Sequence, residues 1–219
     1  KSMLFRITNQ LDSAIIMLKE VLRCDFELKN FKMISGTLNE LGNCMIANDE
    51  TLEGFKYYVQ SYQVASHLKD TLMMGGLSIN MASQLLNLKL KKESKKMALN
   101  SLYWFELAQN NRGMSYAYNL LAQFSNDHLD ESLKYRKLAL TYGLKSNDVS
   151  HLASIYEGLG FHYYSKKQLD SSIYYHTIAI ENRRNIGEIR LLSSSYFNIA
   201  SVYFERGLLT EAKRNLDSL

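Results

Sequence analysis

The sequence predicts an all-α protein, an α-α superhelix built as a solenoid of antiparallel helix pairs, on three observations. Its 219 residues contain no proline, the residue that helix interiors exclude most strongly. Small residues recur in one register every forty residues, with a single step of 38. Around them, apolar residues fall three and four positions apart, the spacing of helices that bury one face. With 46% apolar and 22% charged residues, the composition is that of a globular chain rather than a disordered one.

The repeat is read from three series. Gly42, Ala82, Ala122, Gly160 and Ala200 mark a first helix, A. Ala14, Gly54, Ser94, Ser132, Ser172 and Ala212 mark a second helix, B, and Val21, Ser61, Ser101, Ala139, Ala179 and Leu219 mark a later point on it. Small side chains at fixed points let two helix backbones approach closely. In order, the chain divides into a partial repeat 1–29 and repeats 30–69, 70–109, 110–147, 148–187 and 188–219. The first segment reads as the end of a helix A, a turn and a whole helix B, giving five A motifs and six B motifs. The 38-residue step falls between Ala122 and Ser132, where the A-to-B turn "SNDH" is two residues shorter than elsewhere. At the B-to-A junctions Asn30, Asp70, Asn110, Asp148 and Glu188 recur in register. Asn and Asp cap helix N-termini well, so a long helix A is expected to start beside each.

The motifs "LNELGNCM", "INMASQLL", "YNLLAQF", "YEGLGFHYY" and "FNIASVYF", each followed by a turn and a B segment such as "LDSSIYYHTIAI", resemble the tetratricopeptide repeat over essentially the whole chain. The period of forty and the missing proline depart from the commonest form, whose period is 34. Neither end looks like the polar cap that closes a solenoid, so the chain is expected to be a segment of a longer polypeptide.

Few constellations offer chemistry. Cys24 and Cys44 lack a disulfide framework or metal spacing and read as small buried residues. His67, His128, His151, His162 and His176 form no zinc motif; His162 and His176 share one repeat but read as structural. Gly75-Gly76 lacks the Lys-Ser/Thr of a phosphate loop, and no serine sits in a nucleophile elbow. The expectation is therefore no enzyme, no cofactor and no metal. Lys89, Lys91, Lys92, Lys95 and Lys96 form a basic run that reads first as a solvated face and only secondarily as a nucleic-acid contact. Arg183 and Arg184 suit the negative end of a helix B dipole, and Trp104 reads as packing.

What remains is the concave wall that stacked A helices create. The resemblance implies peptide-binding positions at Asn39, Asn43, Asn80, Ser83, Tyr116, Asn119, Gln123, Glu157, Phe161, Tyr164, Phe197, Asn198, Ser201 and Phe204. Amides can bond an extended peptide backbone and aromatic faces can take apolar side chains. The same positions carry no Lys or Arg, which disfavours a clamp for a peptide's terminal carboxylate. The resemblance further implies a non-catalytic module for a protein or peptide segment, the sensor or scaffold part of a bacterial-type signalling or transcriptional regulator. Its alternative is a structural array that packs against its own output domain or self-associates. No apolar run is long enough to span a membrane. The compartment stays open between a cytoplasmic setting, which is preferred, and a periplasmic one.

Overall fold

Seventeen residues of helix and three of turn, taken twice, make up the forty-residue period. The computed structural model describes residues 2–125 and 128–218. Its helices are α1 (Ser2–Glu27), α2 (Phe31–Ala47), α3 (Thr51–His67), α4 (Thr71–Asn87), α5 (Lys91–Leu107) and α6 (Asn111–Phe124). They continue as α7 (Leu129–Ser146), α8 (Val149–Ser165), α9 (Leu169–Asn185), α10 (Ile189–Glu205) and α11 (Leu209–Leu216). Among the described residues there is no strand, and the fold is an all-α, TPR-like solenoid of antiparallel helix pairs. The contacts divide the chain into two units, Lys1–Gly113 and Met114–Leu219.

Each turn is built the same way. In α2 to α3 the Glu50 amide donates to the Met45 carbonyl at 2.8 Å, and the Asp70, Leu90, Gln168 and Leu208 amides make the same bond to the carbonyl five residues back. This is the Schellman closure, which needs one left-handed residue in the turn. Lys29, Asp49, Lys69, Lys89, Gln109, Asn147 and Lys167 occupy that conformation, as do Gly187 and Gly207. Four of the five predicted caps accept bonds from backbone amides: Asn30 from Met33, Asp70 from Met73, Asn110 from Gly113 and Asp148 from His151. Glu188 makes no such bond and is used elsewhere.

The small positions explain the pairing of helices. A Cβ on Gly42 would lie 2.6 Å from the Tyr58 ring, and one on Gly54 would lie 2.7 Å from the Gly42 carbonyl. Where the B position is serine, its hydroxyl donates across the same contact: Ser94 to Ala82 (2.5 Å), Ser132 to Ala122 (2.9 Å) and Ser172 to Gly160 (2.8 Å). Close approach is thus combined with satisfaction of a buried hydroxyl, which is costly to leave unpaired. The later B position does the same toward the neighbouring A helix, Ser61 donating to Ser35 and Ser101 to Gly75. In the first unit Tyr58, Met74, Leu77 and Met81 form a core against Trp104, whose indole N–H donates to Tyr62 at 3.1 Å. In the second unit Ala139, Ile155 and Leu159 pack beneath Tyr118, Tyr156, Tyr163 and Tyr175.

Two expectations are corrected. The turn expected within the first segment is absent, because Ser2–Glu27 is one continuous helix. Cys24 is exposed and Cys44 half-buried, rather than both being core; burial, and then the charge of Glu40, pushes the Cys44 thiol pKa up. The shortened A-to-B turn falls partly on Asn126 and Asp127, which lie outside the described residues. α6 ends after 14 residues and α7 runs for 18.

Candidate functional site

In the first unit the predicted wall comprises Asn39 and Asn43 on α2 and Asn80 and Ser83 on α4, all half-buried. Three of them are wired together. The Asn80 amide donates to Asn39 Oδ1 at 3.0 Å, from one A helix to the next. Asn39 and Asn43 each donate to an oxygen of Glu40, at 3.2 and 3.3 Å. Asn43 Oδ1 accepts from the Tyr58 hydroxyl at 2.6 Å. Burial, and then Glu40, pushes the Tyr58 hydroxyl pKa up to about 12, so it remains a donor at neutral pH. The tyrosine ring fits where Gly42 leaves room, which is why the glycine and the amide network occur together.

In the second unit the wall residues separate into three groups. Tyr116 is a packing group. Its ring stacks on His151 with 3.6 Å between centroids, and its hydroxyl donates to Asp148 Oδ2 at 3.1 Å. Asp148 meanwhile caps α8 with its other oxygen. Asn119 is half-buried with Oδ1 unpartnered, and Gln123 is exposed.

Glu157 forms the second group. Its two carboxylate oxygens accept from Arg183 Nη1 and Nη2 at 2.8 and 2.9 Å, and Asn198 donates to Oε1 at 3.0 Å. The Arg183 guanidinium also meets Ser195 and lies 3.8 Å from Glu188, whose other oxygen accepts from Ser150 at 2.6 Å. Arg183 is therefore buried in a charged network rather than placed at a solvated helix end, as the sequence suggested. A cation does reach this wall, from a B helix, but Glu157 neutralises it. The bidentate geometry makes the pair strongly directional.

Phe161, Tyr164, Phe197, Ser201 and Phe204 are the third group. Phe161 meets His176 edge-on, 5.1 Å between centroids, and stays 45% exposed. Tyr164, Phe197, Ser201 and Phe204 line a groove of about 480 Å³ floored by Ala200 and Ala212. Phe197 and Phe204 are 58% and 69% exposed there. The Tyr164 hydroxyl bonds Glu205, which raises its pKa, and Lys167 lies 5.5 Å from its ring. Single exposed apolar residues need no explanation, but two phenylalanines and a tyrosine around one hollow form a surface that can take apolar side chains.

Elsewhere, Lys91, Lys92 and Lys96 are exposed at the start of α5, whereas Lys95 is half-buried. His162 and His176 are buried, and both nitrogens of each ring are unpartnered. Among the described residues no cluster of three or more His, Cys, Asp or Glu is placed to hold a metal ion, and no helix is long and apolar enough to cross a membrane. Sequence reasoning missed Arg183 and Glu188 as network members. The available signal was register: Arg183 follows the small residue Ala179 by four positions, as Asp25 follows Val21, and Asp25 likewise reaches twelve residues on, accepting from Thr37 at 2.9 Å.

No family model matches the sequence, and no curated protein matches it. Solved structures do match. The crystal structure of BtubC (BKLC) from P. vanneervenii has a TM-score of 0.79 at 18% identity, covering 96% of this chain and 88% of that one. A Rap protein complexed with competence and sporulation factor matches with TM-score 0.72 and 15% identity over 95% of this chain and 63% of that one. The TPR-like repeats of a putative kinesin light chain from Podosopora anserina match with TM-score 0.62 and 12% identity, covering 83% and 90%. These similarities establish the TPR-like fold.

Proposed function

We propose that the chain is a non-catalytic binding module that holds a peptide or protein segment on its A helices, and that it serves as the sensor or scaffold part of a signalling or transcriptional regulator. The observation that carries this reading is the hollow of Tyr164, Phe197, Ser201 and Phe204, apolar and open. An extended segment with an aromatic or branched aliphatic side chain suits it, because aromatic walls bury such groups without an ordering cost of their own. The self-bonded amides of Asn39, Asn43 and Asn80 offer a preorganised polar surface for peptide groups. The similar Rap protein, crystallised with competence and sporulation factor, supports the reading by analogy of fold.

Selection from a displayed library of extended peptides against the full chain tests it. Peptides carrying an apolar anchor are expected to emerge, and to bind at least tenfold more weakly to the Phe197→Ser, Phe204→Ser double variant, as loss of buried aromatic area predicts. Selected peptides that bind this variant and wild type equally would overturn the groove reading. A second reading, self-association or packing against an output domain, draws on Ile16, Met17 and Phe26, which are 65%, 69% and 56% exposed along α1. A concentration-dependent dimer abolished by Met17→Lys would favour it.

A further inference from the structure

Within the second unit the A-helix ladder lacks its amide bond between α6 and α8, and a buried cation lies against α8 at that point. Asn39 accepts from Asn80, and Glu157 from Asn198, at the same register forty-one residues apart. The counterpart of Asn80 and Asn198 on α8 is Gly158, which has no amide to offer. Asn119, the acceptor in that register, has its Oδ1 buried and unpartnered. A Cβ on Gly158 would collide with Arg136 Nη1, so the glycine is what lets the α7 guanidinium lie against α8.

Arg136 is only 7% exposed, and its Nε has no partner. At the matching point of other B helices stand Tyr58, Ala98 and His176, each buried. Burial pushes the Arg136 guanidinium down to about 10, so it remains charged at neutral pH. A buried guanidinium normally has a carboxylate partner, as Arg183 does, because an unpaired charge away from water is costly. The groups around Arg136 point the same way. It lines a cleft of about 270 Å³ between α7 and α8, together with Ser132, Phe161, His162 and Ser165. His162 is 4% exposed with both ring nitrogens unpartnered. One unmatched cation and a second unmatched donor thus share a cavity with room for a small polyatomic ion.

We propose that this cleft is an oxyanion-binding subsite, taking a phosphate or carboxylate group on the Arg136 guanidinium with the His162 imidazole as second donor. The guanidinium fork suits the two oxygens of either group. One ring nitrogen of neutral imidazole can donate while the other accepts. Phe161 on the rim connects the cleft to the exposed wall, but the subsite stands independently of whether that wall binds a peptide.

Titration of the full chain with sodium phosphate, and separately with sodium acetate, tests the proposal by NMR of the Arg136 Nε–H and His162 ring signals. At least one anion is expected to shift both signals saturably, and the tighter of the two identifies the group the cleft takes. Arg136→Gln is expected to weaken this binding about tenfold or more, as is Gly158→Ala, which displaces the guanidinium by a single methyl. Arg190→Gln, an exposed control on α10, is expected to leave it unchanged. No saturable shift with either anion, or equal affinity in wild type and both cleft variants, would overturn the proposal. Loss of peptide capture with anion binding intact would instead count against the groove alone.

Discussion

Asn80 donates to Asn39 in the first unit and Asn198 donates to Glu157 in the second; one geometry carries a neutral acceptor in one case and a charged one in the other. The difference propagates through the second unit. A half-buried carboxylate requires a counter-ion, and Arg183 supplies it from the B helix behind. The corresponding B positions of the first unit include Ala65 and Phe105, both buried and apolar. Phe105 packs against Gly75 at 2.8 to 3.0 Å from where a Cβ would sit. At these positions the first unit joins neighbouring repeats by packing and by hydrogen bonds between neutral groups, except that the buried Asp25 carboxylate accepts from the Thr37 hydroxyl, whereas the second unit uses an ion-pair network. Neutral contacts degrade gradually when trimmed, whereas a buried ion pair fails abruptly when one partner is removed.

That contrast gives the largest expected effect. Arg183→Met leaves Glu157 without its cation and should cost about 3–5 kcal/mol in urea unfolding. Asn39→Ala in the first unit removes a neutral acceptor and should cost about 1 kcal/mol. The double variant Arg183→Met, Glu157→Leu should recover much of the first loss, since an apolar replacement of a buried pair is often near neutral. Equal costs for Arg183→Met and Asn39→Ala would erase the distinction between the units.

Acid should separate the units next. His176 is almost fully buried, and desolvation, opposed by Glu157 and reinforced by Arg183, pushes it down from 6.5 to about 4. In the unfolded chain it titrates near its ordinary value, so between pH 6.5 and 4 the unfolded state binds the extra proton. Stability is then independent of this group above pH 6.5 and falls as the pH is lowered toward 4, by up to about 3 kcal/mol. His162 is pushed down by burial too and acts in the same direction. The histidine of the first unit, His67, is exposed. Hydrogen exchange at pH 7 and pH 5 should show protection lost preferentially in α8 to α10, and His176→Leu should flatten the dependence. Equal loss in α2 to α5 would contradict it.

How much of this was legible in the sequence follows from what each feature depends on. Helix pairing depends on small residues in fixed register, and Gly42, Ser94, Ser172 and Gly160 announce themselves by spacing. Four caps were legible because Asn and Asp bond a nearby amide. Glu188 fills the same register but is drawn into the Arg183 network by residues 38 positions away, which no local pattern reports. The hydrogen-bond partners of the expected wall residues were not legible. Glu157 and Asn39 stand in one register, but which is free to meet a ligand depends on partners from other helices. Arg136 was hidden for a related reason. Its burial depends on Gly158, a residue that reads as an ordinary small one until the facing helix is placed.

The smallest effect concerns the turns. Five turns of the first unit place Lys29, Asp49, Lys69, Lys89 and Gln109 in the left-handed conformation, whereas the second unit uses Gly187 and Gly207 for two of its own. A side chain there brings Cβ too close to the following carbonyl, while glycine is free of that clash at the expense of a more disordered unfolded chain. The Schellman bond is present in both cases, at 2.9 Å for Asp70 and for Glu188, so the hydrogen bonding is matched and the conformational term is isolated. Lys69→Gly should therefore stabilise the chain by up to about 1 kcal/mol, and Gly187→Ala should destabilise it by about the same. Paired urea titrations of the two variants measure this directly. Because Lys69 is exposed, a loss of stability in Lys69→Gly would mean that unfolded-state entropy outweighs the steric term, and that the first unit's side-chain-bearing turns are no weaker than the second unit's glycines.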